Sequence, residues 1–211
     1  MPKIKLPTKT PRIDMTPMVD LFSLLLTFFI LTATVRPQEP APVDVPFSVS
    51  EKTVPDANIM TVLISSDDRI FFNVDNGPDT LLKYRPKILA EMGKRYNIEF
   101  TETELRKFEK FNSPFGVPIE RMKEYLSSPN LAEAKELQTG IPIDSLNNQL
   151  SMWVFCSREV NKNVQACIKG DAKVEYPIVK QVLDIFQDRG VNRFNLITSL
   201  EAIQVTQEIQ E

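Results

Sequence analysis

Between residues 15 and 35 the chain carries one ionisable side chain, Asp20, in the run from Met18 to Val35 that is otherwise apolar or hydroxylic. A carboxyl moved between hydrocarbon and water changes which protonation state is favoured, the chemistry of a proton carrier. A unit charge crossing a membrane potential releases about 2.3 kcal/mol per 100 mV. At about 100° per residue, Asp20, Ser23, Thr27, Leu31 and Thr34 fall on one stripe about 80° wide, with Phe22, Leu25 and Phe29 elsewhere. Such a polar face cannot be satisfied by one helix in hydrocarbon, so it calls for partner helices. The plainer reading makes Asp20 a first-turn acid that complements the helix dipole at the headgroup level. The hydroxyls deeper along the stripe favour the proton reading, because a dipole-complementing acid has no use for them. Asp14 and Thr16 stand just before this run, at its cytoplasmic mouth.

Other chemistry is poorly provided for. The 211 residues contain no His and two Cys, which removes His-based acid–base catalysis, Ser-His or Cys-His nucleophile pairs and His-ligated metal sites. No phosphate-binding loop or nucleophile motif is present, and Asp67-Asp68 belongs to turn chemistry. A net charge of -3 provides no global basic field for nucleic acid. Neither an enzyme nor a metal nor a cofactor is expected.

The carboxylate must be positioned by a helix. Thr16 followed by Pro17 reads as an N-cap with proline at the first helical position, and a helix from 17 to 35 rises about 28 Å against a hydrocarbon core of about 30 Å. The basic residues Lys3, Lys5, Lys9 and Arg12 precede it and Arg36 follows, which places the N-terminus in the cytoplasm. A cleaved signal peptide also fits a basic start, the core Leu21 to Leu31 and Thr32-Ala33-Thr34; the reading adopted is a single-pass anchor. Residues 1–36 hold five bases and two acids, so the remainder of the chain carries a net charge of -6. The expected organisation is a cytoplasmic basic tail (1–14), a transmembrane helix (15–36), a Pro-rich linker (37–55) and an extracytoplasmic domain (56–211).

Ile13-Asp14-Met15-Thr16-Pro17-Met18-Val19-Asp20-Leu21 resembles the signature of the ExbD/TolR biopolymer-transport family, in which Asn-x-Thr-Pro leads into one membrane helix with an essential aspartate. The resemblance places that aspartate at Asp20. Asp14 departs from the pattern, standing where members commonly have Asn.

Beyond the helix, Pro37, Pro40, Pro42, Pro46 and Pro55 favour an extended spacer, while the alternation of Val43, Val45, Phe47 and Val49 suits an added edge strand. Residues 59–64 and 69–74 read as a hairpin around Ser66-Asp67-Asp68. Residues 79–138 read as short helices separated by Pro86, Pro114, Pro118, Pro129 and Gly140. Asp144 is expected to cap a helix carrying Leu146, Leu150, Trp153, Val154, Ser157 and Val160. A strand over 164–169, a helix over 176–188 ended by Gly190 and a strand over 193–198 complete a βαβ-like block. The fold class is therefore a single-pass transmembrane helix plus an α/β (α+β) periplasmic domain with a small mixed sheet and a helical insertion at about 79–160. Cys156 and Cys167 fit either a disulfide or two buried thiols.

The last block, with Lys169-Gly170-Asp171, Val182-Leu183-Asp184, Gly190-Val191 and Leu196-Ile197-Thr198, also resembles the family's periplasmic pattern. Membership implies a homodimer whose helices sit inside an ExbB-like ring in the inner membrane, with proton flow through Asp20 passing work to a TonB-like periplasm-spanning protein. A TolR-like role in envelope integrity and a passive membrane-anchored envelope-binding module are the alternatives.

Overall fold

A computed structural model of the chain describes residues 14–33, 39–48, 57–77, 81–111, 113–128, 131–144 and 147–200. Thr34, Val49 and Leu146 lie outside them. The chain divides into two units, residues 1–37 and 38–211.

The first unit contains helix α1, Thr16–Thr32, with Pro17 in its first turn and no buried residue. It ends three residues earlier than the sequence pattern predicts, because Ala33 has left the helical region at ψ 112°. The sequence at that end, Thr32-Ala33-Thr34-Val35 before Arg36-Pro37, is rich in β-branched residues and leads into a proline. At 17 residues α1 rises about 25 Å. Among the described residues no helix is long and apolar enough to cross a membrane.

The second unit is an α+β domain around a four-stranded mixed sheet. Strand β1 (Phe47–Ser48) precedes the hairpin of β2 (Ile59–Ile64) and β3 (Ile70–Val74). The hairpin turn is closed by Asp68 N–H donating to the Ser65 carbonyl at 3.0 Å, with Asp68 at φ 60°. The helices follow as α2 (Tyr84–Tyr96), α3 (Glu102–Lys110), a 3-10 turn Ile119–Arg121 running into α4 (Met122–Ser127), α5 (Leu131–Glu136) and α6 (Gln149–Val160). Then come β4 (Gln165–Gly170), α7 (Tyr176–Asp188), β5 (Phe194–Leu196) and β6 (Ser199–Leu200). Sheet order is β3-β2-β4-β5, with β2/β3 antiparallel and both β2/β4 and β4/β5 parallel, so β4-α7-β5 is the expected βαβ unit. Gly190, at φ 70°, takes the left-handed conformation that turns the chain after α7.

Alternation along the strands divides the sheet's two faces. Met60, Val62, Ile64, Ile70, Phe72, Val74, Ala166 and Ile168 point into a core shared with α2, α3, α6 and α7. Its centre is aromatic: Trp153 of α6 lies 5.9 Å from Phe72, 6.3 Å from Phe108 and 5.0 Å from Phe115, centroid to centroid. The segment expected as an insertion is thus the layer that covers the sheet.

Two local expectations are corrected. Pro86 does not separate helices; it sits in the first turn of α2, where its missing N–H leaves no helical bond unmade. Asp144 does not cap α6. The Ile143–Asn148 bridge and the Gln149 N–H to Pro142 carbonyl bond (3.1 Å) hold a turn before the helix, so Asn148 becomes the N-cap and accepts from Ser151 N–H at 2.9 Å. The predicted apolar stripe survives, with Leu150, Trp153, Val154 and Ser157 buried.

Candidate functional site

Helix α1 brings Asp20, Ser23, Thr27 and Leu31 onto one face, since all four lie in one uninterrupted helix. Thr16 is not the N-cap. Met15 occupies that position without a side-chain cap, and Asp14 supplies the acceptor instead: its Oδ1 takes the Thr16 N–H at 3.0 Å and the Thr16 hydroxyl at 2.5 Å. These two bonds, the hydroxyl first, hold the Asp14 carboxyl below its ordinary range. Asp14 is therefore an anion tied to the helix start.

Farther along, the Thr27 hydroxyl donates to the Leu24 carbonyl at 2.9 Å and that of Thr32 to the Phe28 carbonyl at 2.9 Å. Hydroxyls satisfied in this way keep lone pairs that can accept from another group. Asp20 is exposed and has neither a hydrogen-bond nor an ion-pair partner among the described residues. Around it Met18, Val19, Leu21, Phe22, Leu24 and Leu25 are likewise exposed. A helix apolar on nearly all sides requires an apolar surround, and its one carboxylate requires a polar partner within that surround.

The second unit contains a strap that sequence reasoning placed only as a spacer or an unassigned edge strand. Residues 39–48 lie against the sheet. Ala41 packs with Leu63 and Phe71 on the face opposite the helices, and Val43 packs against them. Asp171 fastens this segment: its Oδ2 accepts Asp44 N–H and its Oδ1 accepts Lys173 N–H, both at 2.9 Å, while Ala172 N–H donates to the Asp44 carbonyl at 2.8 Å. The Lys173 and then the Asp44 amides hold the Asp171 carboxyl below its ordinary range. Lys169 pairs with Glu39 at 2.6 Å, and β1 runs parallel to β6 through Phe47–Ser199 and Ser48–Leu200. The available signal was the turn Lys169-Gly170-Asp171, whose partner lies about 130 residues away.

Cys156 and Cys167 are free and buried. Cys156 faces the helical side, whereas Cys167 lies between Ala166 and Ile168, which point to that side, so it faces the opposite one. The sheet separates them, and a disulfide is ruled out by geometry. Burial pushes the Cys156 thiol up to about 11 and raises that of Cys167, so neither is a reactive nucleophile. Among the described residues no cluster of Cys, Asp or Glu could hold a metal ion.

The sequence model described as biopolymer transport protein ExbD/TolR matches residues 7–201, including α1, the strap and the whole helical layer. Members of that family work with ExbB/TolQ and TonB/TolA partners. No curated protein and no solved structure matches the chain. An apolar helix with one carboxylate and a compact α+β domain are thus joined in one chain, and that chain belongs to the ExbD/TolR family of biopolymer transport proteins.

Proposed function

We propose that the chain is the ExbD-like subunit of an inner-membrane motor driven by the proton-motive force, and that it has no enzymatic activity. In this reading α1 is a single-pass anchor with its N-terminus in the cytoplasm, two copies stand inside an ExbB-like ring, and Asp20 carries the proton. The domain beyond the strap passes the resulting motion to a TonB-like protein that serves transport across the outer membrane.

The observation that carries this is the position of Asp20. It is the one ionisable residue of α1, without a partner among the described residues, on the same face as Ser23 and Thr27, in a helix with no buried residue. Two protonation states of one carboxylate have unequal costs in hydrocarbon and in water, so alternating its contact between ring and aqueous path couples proton passage to helix movement. The apolar run continues past the C-terminal end of α1 in sequence, through Ala33 to Val35, and a hydrophobic stretch slightly short of the bilayer is accommodated by local thinning or by snorkelling of flanking bases.

The test is Asp20→Asn in the full chain co-expressed with its ring partner. The complex should assemble as before while energised uptake across the outer membrane falls to background. Normal uptake with the mutant would overturn the proposal, and loss of envelope integrity with uptake intact would assign the chain to TolR-like service.

A further inference from the structure

We infer that a basic groove over Phe155 is a docking site for an acidic, extended peptide segment of a partner protein, a role that stands apart from proton passage through Asp20. The groove, of about 430 Å³, is lined by Phe155, Arg158, Glu159, Lys162 and Arg189. Two guanidiniums lie over the ring of half-buried Phe155: Arg95 of α2 at 4.5 Å from its centroid and Arg189, just beyond α7, at 5.5 Å. Three helices therefore converge on one aromatic ring and fix the cations around it.

The charges are unevenly matched. Arg95 pairs with Glu159 at 2.8 Å, which uses the groove's one carboxylate. Arg189 Nε donates to the Ser151 hydroxyl at 2.6 Å and Arg158 Nη1 donates to the Arg189 carbonyl, so both side chains are held in place by neutral acceptors. Lys162 is exposed and has no partner among the described residues. Arg158, Lys162 and Arg189 thus present three cations without a carboxylate partner among the described residues, on a part of the chain whose net charge is -6. A planar guanidinium held rigid beside an aromatic face is pre-organised for bidentate carboxylate binding, and the ring offers a seat for an apolar side chain between two acids.

Charge complementarity selects the occupant. An anionic membrane surface would need an apolar element beside the cations to insert, yet the exposed large apolar side chains among the described residues of the domain, Phe47, Leu81, Tyr176 and Leu196, do not line the groove. A flexible acidic segment fits both the cations and the ring.

The experiment measures fluorescence anisotropy of a fluorescein-labelled peptide of about eight residues, alternating Glu with Pro and Val, against the full chain in neutral detergent micelles. The wild-type chain should bind it at low salt, with affinity falling as salt rises, and should not bind the same peptide with Gln in place of Glu. Lys162→Glu and Arg158→Gln should each weaken binding by about tenfold. Lys180→Glu, an exposed change of equal charge on α7 outside the groove, should leave binding within about twofold. Absence of binding by the wild type, equal weakening by Lys180→Glu, or binding of vesicles containing phosphatidylglycerol without binding of the peptide would each overturn the inference.

Discussion

Asp171 holds two backbone amides from separate segments, and this arrangement sets its pH response. A carboxyl whose folded value is depressed contributes stability that is present above the unfolded value and lost as pH falls through the folded one. The strap should therefore keep its protection through the neutral range and begin to lose it as pH falls below 3.8, the carboxyl's ordinary value. Hydrogen exchange at the Asp44 and Ala172 amides reads this directly, and Asp171→Ala should speed exchange at Asp44 by about tenfold at neutral pH. Unchanged protection in that variant would show that Asp171 does not fasten the strap. The cysteines make a second prediction at this scale. Unfolding without reductant should release two titratable thiols, and in the folded chain at pH 7 both should react far more slowly than an exposed thiol, because burial disfavours the thiolate.

At the scale of elements, the start of α6 separates two readings of the same sequence. Asn148→Ala removes the acceptor for Ser151 N–H and should cost about 1 kcal/mol in denaturant unfolding, whereas Asp144→Ala should cost less than about 0.5 kcal/mol. The reverse ranking would restore Asp144 as the cap. Elements built from local signals were legible in the sequence: the β2-β3 hairpin from two strand-like runs around the turn Ser66-Asp67-Asp68, α7 over its full length with Gly190 as its stop, and the α6 stripe from its helical period. The α6 cap was misplaced because Asp144 and Asn148 are both competent acceptors, and only the Ile143–Asn148 bridge decides between them. The strap was half legible. Alternation at Val43 to Val49 signalled a strand, but its fastening depends on Asp171 and Lys169, and on β6 as its partner, and no local pattern specifies pairings across such separations.

Across the whole molecule, the helix that carries the candidate site was the most legible element. One carboxylate in an apolar run is a chemical anomaly that needs no tertiary information to detect, and α1 places Asp20, Ser23 and Thr27 as the period requires. What the run could not reveal was that Asp14, rather than Thr16, provides the acceptor at the helix start. The core of the domain was less legible, since Phe72, Phe108, Phe115 and Trp153 come from four segments whose convergence depends on the sheet order. Its weight is testable: Trp153→Ala should destabilise the chain by about 3 to 5 kcal/mol, measured by denaturant unfolding, because a fully buried ring is lost from an aromatic cluster. An apolar helix with no buried residue also implies companions, so gentle detergent purification should recover the chain with multi-span membrane partners.

Proton passage through Asp20 can be read by reconstitution without any outer-membrane partner. The chain and its ring subunit, placed together in liposomes under an imposed pH gradient and potential, should conduct protons at a rate that Asp20→Asn abolishes while Thr27→Val only reduces it. Equal proton flux through the Asp20→Asn complex would contradict the account.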